Sequence, residues 1–382
     1  MSFEMKFAVD LLWLRPGGVG GTEVVARNLL DGMRQRKEEF HAVLITSLDN
    51  SSTFVHYAEA DHRFEILQAP IASENILKRI LWQNLHLNHF LRKHGLRYCF
   101  SPVYDRPFRN QGVRYITTIH DIQAYHYPEY HPFHEVVYSK LAWRVDRDRS
   151  DANVAISNYV AEDLVKTYHF QREKIRTIYD PVILNPEQQS AFGPLADRYG
   201  VSDGSYYYTV GQLIPHKNMG TLLKIMHRIH TDEHLGEEYC KKLLITGING
   251  NAAQQIREEI AQLGLEDAVV LTGYLDIEDR NALYAHAKCF LFPSVFEGFG
   301  LPPLEAMMMG TPVVATRCAC IPEVTQNLAE YVDDPYDPED WLAHMKKPVN
   351  HVERLDRGRF DQVRIAGEYL EFIKQTWEKT DR

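Results

Sequence analysis

Residues 289–312, CFLFPSVFEGFGLPPLEAMMMGTP, join an apolar run, a loop with two glycines and a segment of helical composition. The other apolar runs in this half of the chain are YYYTVG at 206–211, KLLITG at 242–247, AVVLTG at 268–273 and TPVVAT at 311–316. Segments of helical length separate these runs. Short, nearly continuous apolar strands that alternate with helices predict a parallel sheet covered by helices on both faces.

The first half of the chain shows the same alternation. MKFAVDLLWL at 5–14, HAVLITS at 41–47 and VRYITTIHD at 113–121 are apolar runs, and the segments between them have the spacing of amphipathic helices. The sequence therefore predicts the α/β class, with two doubly wound, Rossmann-like domains.

Proline, glycine and polar residues concentrate between 180 and 205, which predicts a linker between the domains. We expect one domain over residues 1–185 and a second over residues 186–359. Segment 360–382 has the pattern of a long amphipathic helix, and we expect it to pack back on the first domain. Open parallel sheets bind ligands at the carboxyl ends of their strands, so two such domains would face a central cleft with a ligand on each side.

The composition excludes several classes of protein. The 382 residues are 45% apolar and 25% charged, as in a globular chain, and the net charge of −10 argues against binding to a nucleic-acid backbone. Five cysteines are too few for a disulfide scaffold and suggest a cytoplasmic protein with reduced thiols. No apolar stretch approaches the ~18 residues of a membrane span, so any membrane contact would be peripheral.

The loop and helix of 296–312 have the chemistry of a ligand site. Gly298 and Gly300 allow a ligand to approach the backbone, and free N–H groups at the start of a helix at Leu301 attract an anion. Glu297 in the loop and Glu305 in the helix can accept hydrogen bonds from the hydroxyls of a ribose or a sugar.

Three further segments place polar groups after predicted strands. Lys217 ends YYYTVGQLIPHK at the start of a helix, where a cation suits a diphosphate. The segment RPGGVGGTE at 15–23 contains Gly20 and Gly21, but it lacks the G-x-G-x-x-G spacing of a dinucleotide loop. His120 and Asp121 end the buried run TTIHD.

The string FEGFGLPPLEAMMMGTP resembles the E-x7-E region of retaining glycosyltransferases with the GT-B fold, specifically family 4. The resemblance is densest in the second half of the chain. It implies that Glu305 binds the ribose of a nucleotide-sugar donor and that Glu297 contacts the hydroxyls of the donor sugar. It also implies that the loop of Gly298, with the amides of Phe299, Gly300 and Leu301, holds the sugar and the phosphates.

The same resemblance gives roles to the remaining segments. Lys217 would clamp the diphosphate and stabilise the leaving group, while Gly20 and Gly21 would lie over the donor phosphates. His120 would be the active-site histidine beside the donor sugar. Gln212 stands where the family usually has an arginine, so one cationic contact to the donor is missing or comes from elsewhere, with Arg317 and His216 as candidates. We expect no cofactor and no metal requirement, because a cation and helix ends can hold the diphosphate.

Aromatic and basic residues are frequent between 123 and 144, and aromatic faces stack on sugars. We therefore expect Tyr125 and Tyr127, together with Asp121, to line an acceptor site. Asp146 and Asp148 form a D-x-D pair in an arginine-rich helical stretch, where we expect a solvated helix face and no metal site.

The resemblance is strongest to bacterial hexosyltransferases of polysaccharide and O-antigen assembly, which favours mannosyl transfer from GDP-mannose to a glycan or lipid-linked glycan. Transfer from UDP-glucose, or of a deoxyhexose such as rhamnose from a dTDP- or GDP-linked donor, is the alternative within this fold. An NAD-dependent oxidoreductase and a non-catalytic sugar-nucleotide binder are the alternatives outside it. The implied setting is cytoplasmic, with peripheral contact at the inner face of a membrane.

Overall fold

The computed structural model describes residues 5–17, 20–247, 252–349 and 351–380. The chain divides into two units, and each has a core of its own. The first unit combines Met1–Ile183 with Gly358–Arg382, and the second comprises Leu184–Arg357.

The first unit is built on a parallel sheet with the strand order β3-β2-β1-β4-β5-β6-β7. Its strands are β1 Lys6–Asp10, β2 His41–Thr46, β3 Phe64–Gln68, β4 Tyr98–Ser101, β5 Arg114–Ile119, β6 Ala152–Ala155 and β7 Ile175–Thr177. The helices between the strands are α1 Gly21–Gln35, α2 Val55–Ala60, α3 Ile76–Trp82, α4 Asn88–Lys93, α5 Gln123–His126, α6 Phe133–Arg149 and α7 Asn158–Tyr168. A π-helical turn over Gln83–Leu87 joins α3 to α4.

Both faces of this sheet are buried, which explains why its strands are apolar at successive positions. Phe7 and Val9 belong to the cluster on one face, whereas Ala8 between them belongs to the cluster on the other. The side chains of the neighbouring strand β2 alternate between the same two clusters. Ala8 is paired with Val43 of the same cluster, and Val9 is paired with Leu44 of the other. Two covered faces are characteristic of doubly wound parallel sheets.

The second unit repeats the architecture with the strand order β10-β9-β8-β11-β12-β13. Its strands are β8 Tyr206–Val210, β9 Lys242–Thr246, β10 Val269–Gly273, β11 Cys289–Phe292, β12 Val313–Thr316 and β13 Glu330–Val332. Its helices are α8 Phe192–Tyr199, α9 Met219–Thr231, α10 Ala253–Gln262, α11 Ile277–Ala285, α12 Leu301–Met308, α13 Ile321–Val324 and α14 Pro338–Met345. All strand pairs in both sheets are parallel.

The C-terminal helix α15, Gln362–Thr380, belongs to the first unit. Tyr369 and Trp377 are buried in the same cluster as Phe7 of β1. Gly32 of α1 lets the two helices approach closely, because a Cβ atom there would lie 2.3 Å from the carbonyl oxygen of Gln362. Residues 381 and 382, which end the predicted helix, lie outside the described residues.

The structure differs from the sequence expectations where local signals are weak. The segment predicted as a linker over 180–205 contains helix α8, whose Leu195 is buried. Gly193 and Pro194 in that helix gave it the composition of a loop. Strands β3 and β13, which the apolar runs did not indicate, lie at the edges of the two sheets.

Candidate active site

The loop after β11 and the start of α12 form the first part of the candidate site. Gly300 precedes the helix with a φ of 86°, a left-handed conformation that favours glycine. Phe299 before it is buried, and Pro302 and Pro303 occupy the first turn of α12, where a missing N–H costs no helical hydrogen bond. The backbone of the glycine loop is therefore fixed at the N-terminal end of the helix.

The loop after β8, the strand next to β11, is tied to this loop through its backbone. The carbonyl oxygen of His216 accepts a hydrogen bond from the Val295 N–H at 2.9 Å and one from the Ser294 hydroxyl at 3.3 Å. These bonds bring Lys217 beside Glu297, and the two side chains form an ion pair. The Lys217 and Glu297 side chains are only 15% and 12% exposed, so water weakens their attraction less than at an open surface.

Glu305 on α12 is held by two residues of α11. Arg280 forms an ion pair with Glu305 Oε1 at 3.2 Å, and the Tyr284 hydroxyl donates a hydrogen bond to Glu305 Oε2 at 3.1 Å. Arg280 and Tyr284 are four residues apart, so both side chains lie on the same face of α11. Each carboxylate oxygen thus has one protein partner and retains a lone pair for a ligand.

The surroundings raise the pKa values of the two residues that hold Glu305. Burial raises the pKa of Tyr284 well above its usual value, and the neighbouring charge of Glu305 raises it further. Although burial alone lowers the pKa of Arg280, its net pKa is raised, chiefly by the charge of Glu305. Each of the two glutamates forms an ion pair with a basic side chain, Glu297 with Lys217 and Glu305 with Arg280.

Close backbone packing shapes the same edge of the second sheet. A Cβ atom at Gly247, which follows β9, would lie 1.9 Å from the carbonyl oxygen of Gly211, so only glycine fits there. Gln212, directly after Gly211, is exposed. Arg317 pairs with Asp333 at 3.4 Å and lies over the ring of Tyr331.

In the first unit, His120 directly follows β5. Its Nε2 atom lies 2.9 Å from the carbonyl oxygen of Pro102. Because a carbonyl oxygen only accepts hydrogen bonds, Nε2 is the ring nitrogen that donates, and Nδ1 takes no part in this bond. Asp180, beyond β7, is buried, and burial raises the pKa of its carboxyl group to about 6, although the nearby charge of His120 opposes this rise.

The described part of the segment 15–23 is anchored by one side chain. Glu23 accepts a hydrogen bond from the Gly17 N–H at 2.8 Å and pairs with Arg27 on the next turn of α1. Gly20 precedes α1 with a φ of 64°, and Gly21 is the first residue of the helix. Residues 18 and 19, at the centre of the predicted loop, lie outside the described residues.

The residues predicted to line an acceptor site lie in and around α5. The Asp121 carboxylate accepts a hydrogen bond at 2.9 Å from the N–H of Gln123, the first residue of this helix. Tyr125 is exposed and contacts the ring of Tyr168 edge-on. Tyr127 stacks on Tyr130 with ring centroids 5.3 Å apart. Tyr125 and Tyr127 thus lie at the surface of the first unit, and the ring contacts described here are with other tyrosines of that unit.

Both halves of the chain match models of known protein families. Residues 199–357 match the model described as "Glycosyl transferases group 1", and residues 19–185 match the model "Glycosyltransferase Family 4". The chain belongs to glycosyltransferase family 4. The enzyme class predicted from the sequence, a glycosyltransferase, is confirmed.

Curated relatives of this glycosyltransferase include enzymes of O-antigen synthesis. The O-antigen chain mannosyltransferase RfbU of Salmonella typhimurium is 29% identical over 273 residues, 69% of this chain and 69% of RfbU. The O-antigen chain mannosyltransferase B of Escherichia coli is 28% identical over 267 residues, 69% of this chain and 67% of that enzyme.

Solved structures share the fold of this glycosyltransferase at low identity. Sucrose-phosphate synthase from Thermosynechococcus elongatus is 17% identical with a TM-score of 0.73, and the match covers 98% of this chain and 100% of that one. HepE from Anabaena, in complex with UDP and glucose, is 17% identical with a TM-score of 0.69, covering 97% and 100%. The predicted GT-B fold, with two doubly wound α/β domains, is confirmed.

One sequence expectation for this glycosyltransferase is wrong. Asp146 does not lie on a solvated helix face but is completely buried, and burial raises the pKa of its carboxyl group to about 7, with the charge of Arg106 opposing the rise. Its Oδ1 atom accepts a hydrogen bond from the Ser150 hydroxyl at 3.1 Å. Only Asp148 of the D-x-D pair is exposed, where it pairs with Arg147.

Sequence reasoning missed Arg280 and Tyr284 of the glycosyltransferase, which hold Glu305. The available signal was their spacing of four residues in a helix that precedes the strand leading into the glutamate loop. Within the described ranges, no group of three or more His, Cys, Asp or Glu side chains is arranged to hold a metal ion.

Proposed function

We propose that this enzyme is a retaining hexosyltransferase that transfers a mannosyl group from GDP-mannose to a glycan acceptor. The observation that carries the proposal is the pair of glutamate–cation contacts, Lys217 with Glu297 and Arg280 with Glu305, beside a fixed glycine loop in the second unit. These groups match the three parts of a nucleotide sugar, namely the ribose, the diphosphate and the hexose.

In this proposal the second unit binds the donor. Glu305 accepts hydrogen bonds from the ribose hydroxyls, using the lone pairs that Arg280 and Tyr284 leave free. Lys217 contacts the diphosphate, because its ammonium group has three N–H donors and Glu297 engages only part of them. Glu297 and the amides of Phe299, Gly300 and Leu301 bind the hexose and the phosphates. Gln212 adds a polar but uncharged contact at most.

The transfer step breaks the bond between the anomeric carbon and the β-phosphate oxygen. The oxygen of an acceptor hydroxyl bonds to the same face of that carbon, and its proton passes to an oxygen of the leaving diphosphate. Lys217 and the N-terminal amides of α12 stabilise the negative charge that develops on the leaving group, and we expect this stabilisation to contribute most to the rate. This step uses no protein nucleophile and preserves the configuration at the anomeric carbon.

The first unit supplies the acceptor side. We propose that Gly20, Gly21 and His120 contact the donor, while the carbonyl oxygen of Pro102 orients the ring of His120. Asp121, Tyr125 and Tyr127 would contact the acceptor glycan through hydrogen bonds and stacking.

The choice of donor and acceptor follows the curated relatives. RfbU and mannosyltransferase B are both named as O-antigen chain mannosyltransferases. Such a substrate pair implies a lipid-linked glycan acceptor at the cytoplasmic face of a membrane, with the enzyme attached peripherally. None of the described helices is long and apolar enough to cross a membrane.

The test is transfer of radiolabelled mannose from GDP-mannose to a lipid extract of cells that make a mannose-containing O-antigen, without added metal. We expect label in the lipid fraction, stoichiometric release of GDP, and an α-linkage in the product by NMR. A β-linkage would contradict retention. Release of UDP from UDP-glucose, with GDP-mannose left intact, would contradict the donor assignment while leaving the enzyme class unchanged.

A further inference from the structure

The helical segment from α3 to α4 carries a row of exposed leucines. Leu77, Leu81 and Leu85 are 78%, 60% and 60% exposed, although leucine is ordinarily buried. Their spacing of four residues places them along one side of the segment. Arg79 and Leu87, which point to the other side, are buried in the first unit.

A second row of the same kind lies on α6. Phe133, Val137 and Leu141 are 83%, 49% and 43% exposed, again at intervals of four residues. The two helices are neighbours, because Asp105 pairs with Arg79 of α3 and accepts a hydrogen bond from the Tyr138 hydroxyl of α6 at 2.6 Å. We call the six exposed side chains of the two rows the apolar face. Rows of exposed apolar side chains of this kind mark interaction surfaces.

The charge around the first row is unusual for this protein. Although the chain carries a net charge of −10, no Asp or Glu occurs between Glu74 and Asp105. The cationic side chains in that stretch are mostly exposed, and they include Lys78 beside Leu77 and Lys93 at the end of α4. The nearest carboxylates in sequence are Glu74, three residues before Leu77, and Glu135, two residues after Phe133 of the second row. An exposed leucine row with more cations than carboxylates around it is the pattern of a helix that lies in the headgroup region of an anionic bilayer.

We propose that the apolar face, with Lys78 and Lys93, docks this enzyme on an anionic lipid bilayer. The leucines and Phe133 enter the boundary between headgroups and acyl chains, while the lysines contact lipid phosphates. A second copy of the chain fits less well, because a two-fold interface through this face would bring cations of both copies together. The inference rests on the proposed function only in that a lipid-linked acceptor gives the docking a purpose.

The test is co-sedimentation of the full chain with phosphatidylcholine vesicles that contain either no phosphatidylglycerol or about one third of it, without donor or acceptor. We expect binding to the anionic vesicles that falls as salt is raised. Lys78→Gln with Lys93→Gln should weaken binding by about fivefold for each lysine. Leu81→Gln with Leu85→Gln should weaken it roughly tenfold or more.

The matched control is Leu48→Gln, which makes the same exchange at a leucine of the first unit that is 58% exposed outside the apolar face. It should bind vesicles like the wild type, and thermal melting should show that all variants fold. Wild type that does not bind anionic vesicles would overturn the inference. So would leucine variants that bind normally, or variants that instead dissolve a dimer seen by analytical ultracentrifugation. Because no turnover is measured, these results are independent of the mannosyl-transfer assay.

Discussion

Replacing Arg280 by methionine tests whether the second unit binds the donor through the carboxylate of Glu305, which Arg280 holds in position. The variant keeps the length of the side chain but removes the ion pair with Glu305 Oε1 at 3.2 Å. Tyr284 then remains as the partner of Glu305 on α11. Glu305 then loses the ion pair that orients it, and its charge is no longer balanced in the proposed binding site of an anionic donor.

The size of the effect follows from the burial of the pair. A hydrogen bond to a charged group contributes about 1.5–3 kcal/mol. Since the Arg280 and Glu305 side chains are 27% and 15% exposed, solvent reduces the effect, and we expect about 1–2 kcal/mol, around the lower end of that range. A loss of about 1–2 kcal/mol in binding corresponds to a Kd for the nucleoside diphosphate that is roughly 5- to 30-fold higher.

Isothermal calorimetry with GDP and with 2′-deoxy-GDP is the assay. If Arg280 acts through the contact of Glu305 with the ribose, the variant should lose affinity for GDP and discriminate less between the two ligands. The double variant with Glu305→Gln should be no weaker than Glu305→Gln alone, since coupled residues are not additive. Arg228→Met is the matched control, because it removes a half-exposed arginine of the same unit. Unchanged GDP affinity in Arg280→Met would show that Arg280 does not position Glu305 for the ribose.

Three other substitutions test separate parts of the molecule. Lys217→Met should lower kcat by roughly 100-fold or more with a much smaller change in KM, because in the proposed mechanism Lys217 acts on charge that develops on the leaving group; a normal kcat would remove it from the mechanism. Gly247→Ala should destabilise the second unit by about 1–3 kcal/mol in urea unfolding, because its Cβ would lie 1.9 Å from the Gly211 oxygen; an unchanged midpoint would contradict that packing. Asp10→Asn should flatten the pH dependence of unfolding.

The sign of the Asp10 effect follows from its burial. Burial raises its pKa from 3.8 to about 7, so the folded protein holds this proton more tightly than the unfolded chain does. The stabilisation is complete below about pH 4 and is lost as the pH rises to 7, by roughly 4 kcal/mol at most. Urea unfolding at pH 4 and pH 8 should therefore show a smaller loss of stability in the variant. Parallel curves for the two proteins would show that Asp10 does not titrate in this range.

The strands with the most regular apolar runs could be predicted from the sequence because both of their faces are buried. β8, β9 and β11 are such strands, and they define the second sheet and its carboxyl edge. Edge strand β3, FEILQ, is only partly buried, and β13 has three residues, so neither gives a clear period. Helix α8 contains a glycine and a proline, which masked its helical pattern.

The residues of the candidate site also fall into two groups, those whose position could be predicted from the sequence and those whose position could not. Lys217 and Glu297 lie in the loops after β8 and β11, and Glu305 lies one turn into α12, so their placement follows from local sequence. Arg280 is placed by the packing of α11 against α12, a tertiary contact that no local pattern encodes. The arginines next to Asp146 in sequence suggested an exposed position. In the structure Asp146 lies in a buried cluster with Ser150, one helical turn later, and with Arg106, which is distant in sequence.

The assignment of the second unit as the donor site can be tested by calorimetric titration of the full chain with GDP, UDP, dTDP and NAD. We expect GDP to bind most tightly and Glu305→Gln to weaken its binding. Preference for UDP or dTDP would replace mannose by a glucose-type or rhamnose-type donor at the same site. Binding of NAD alone, or GDP binding that Glu305→Gln leaves unchanged, would contradict the assignment.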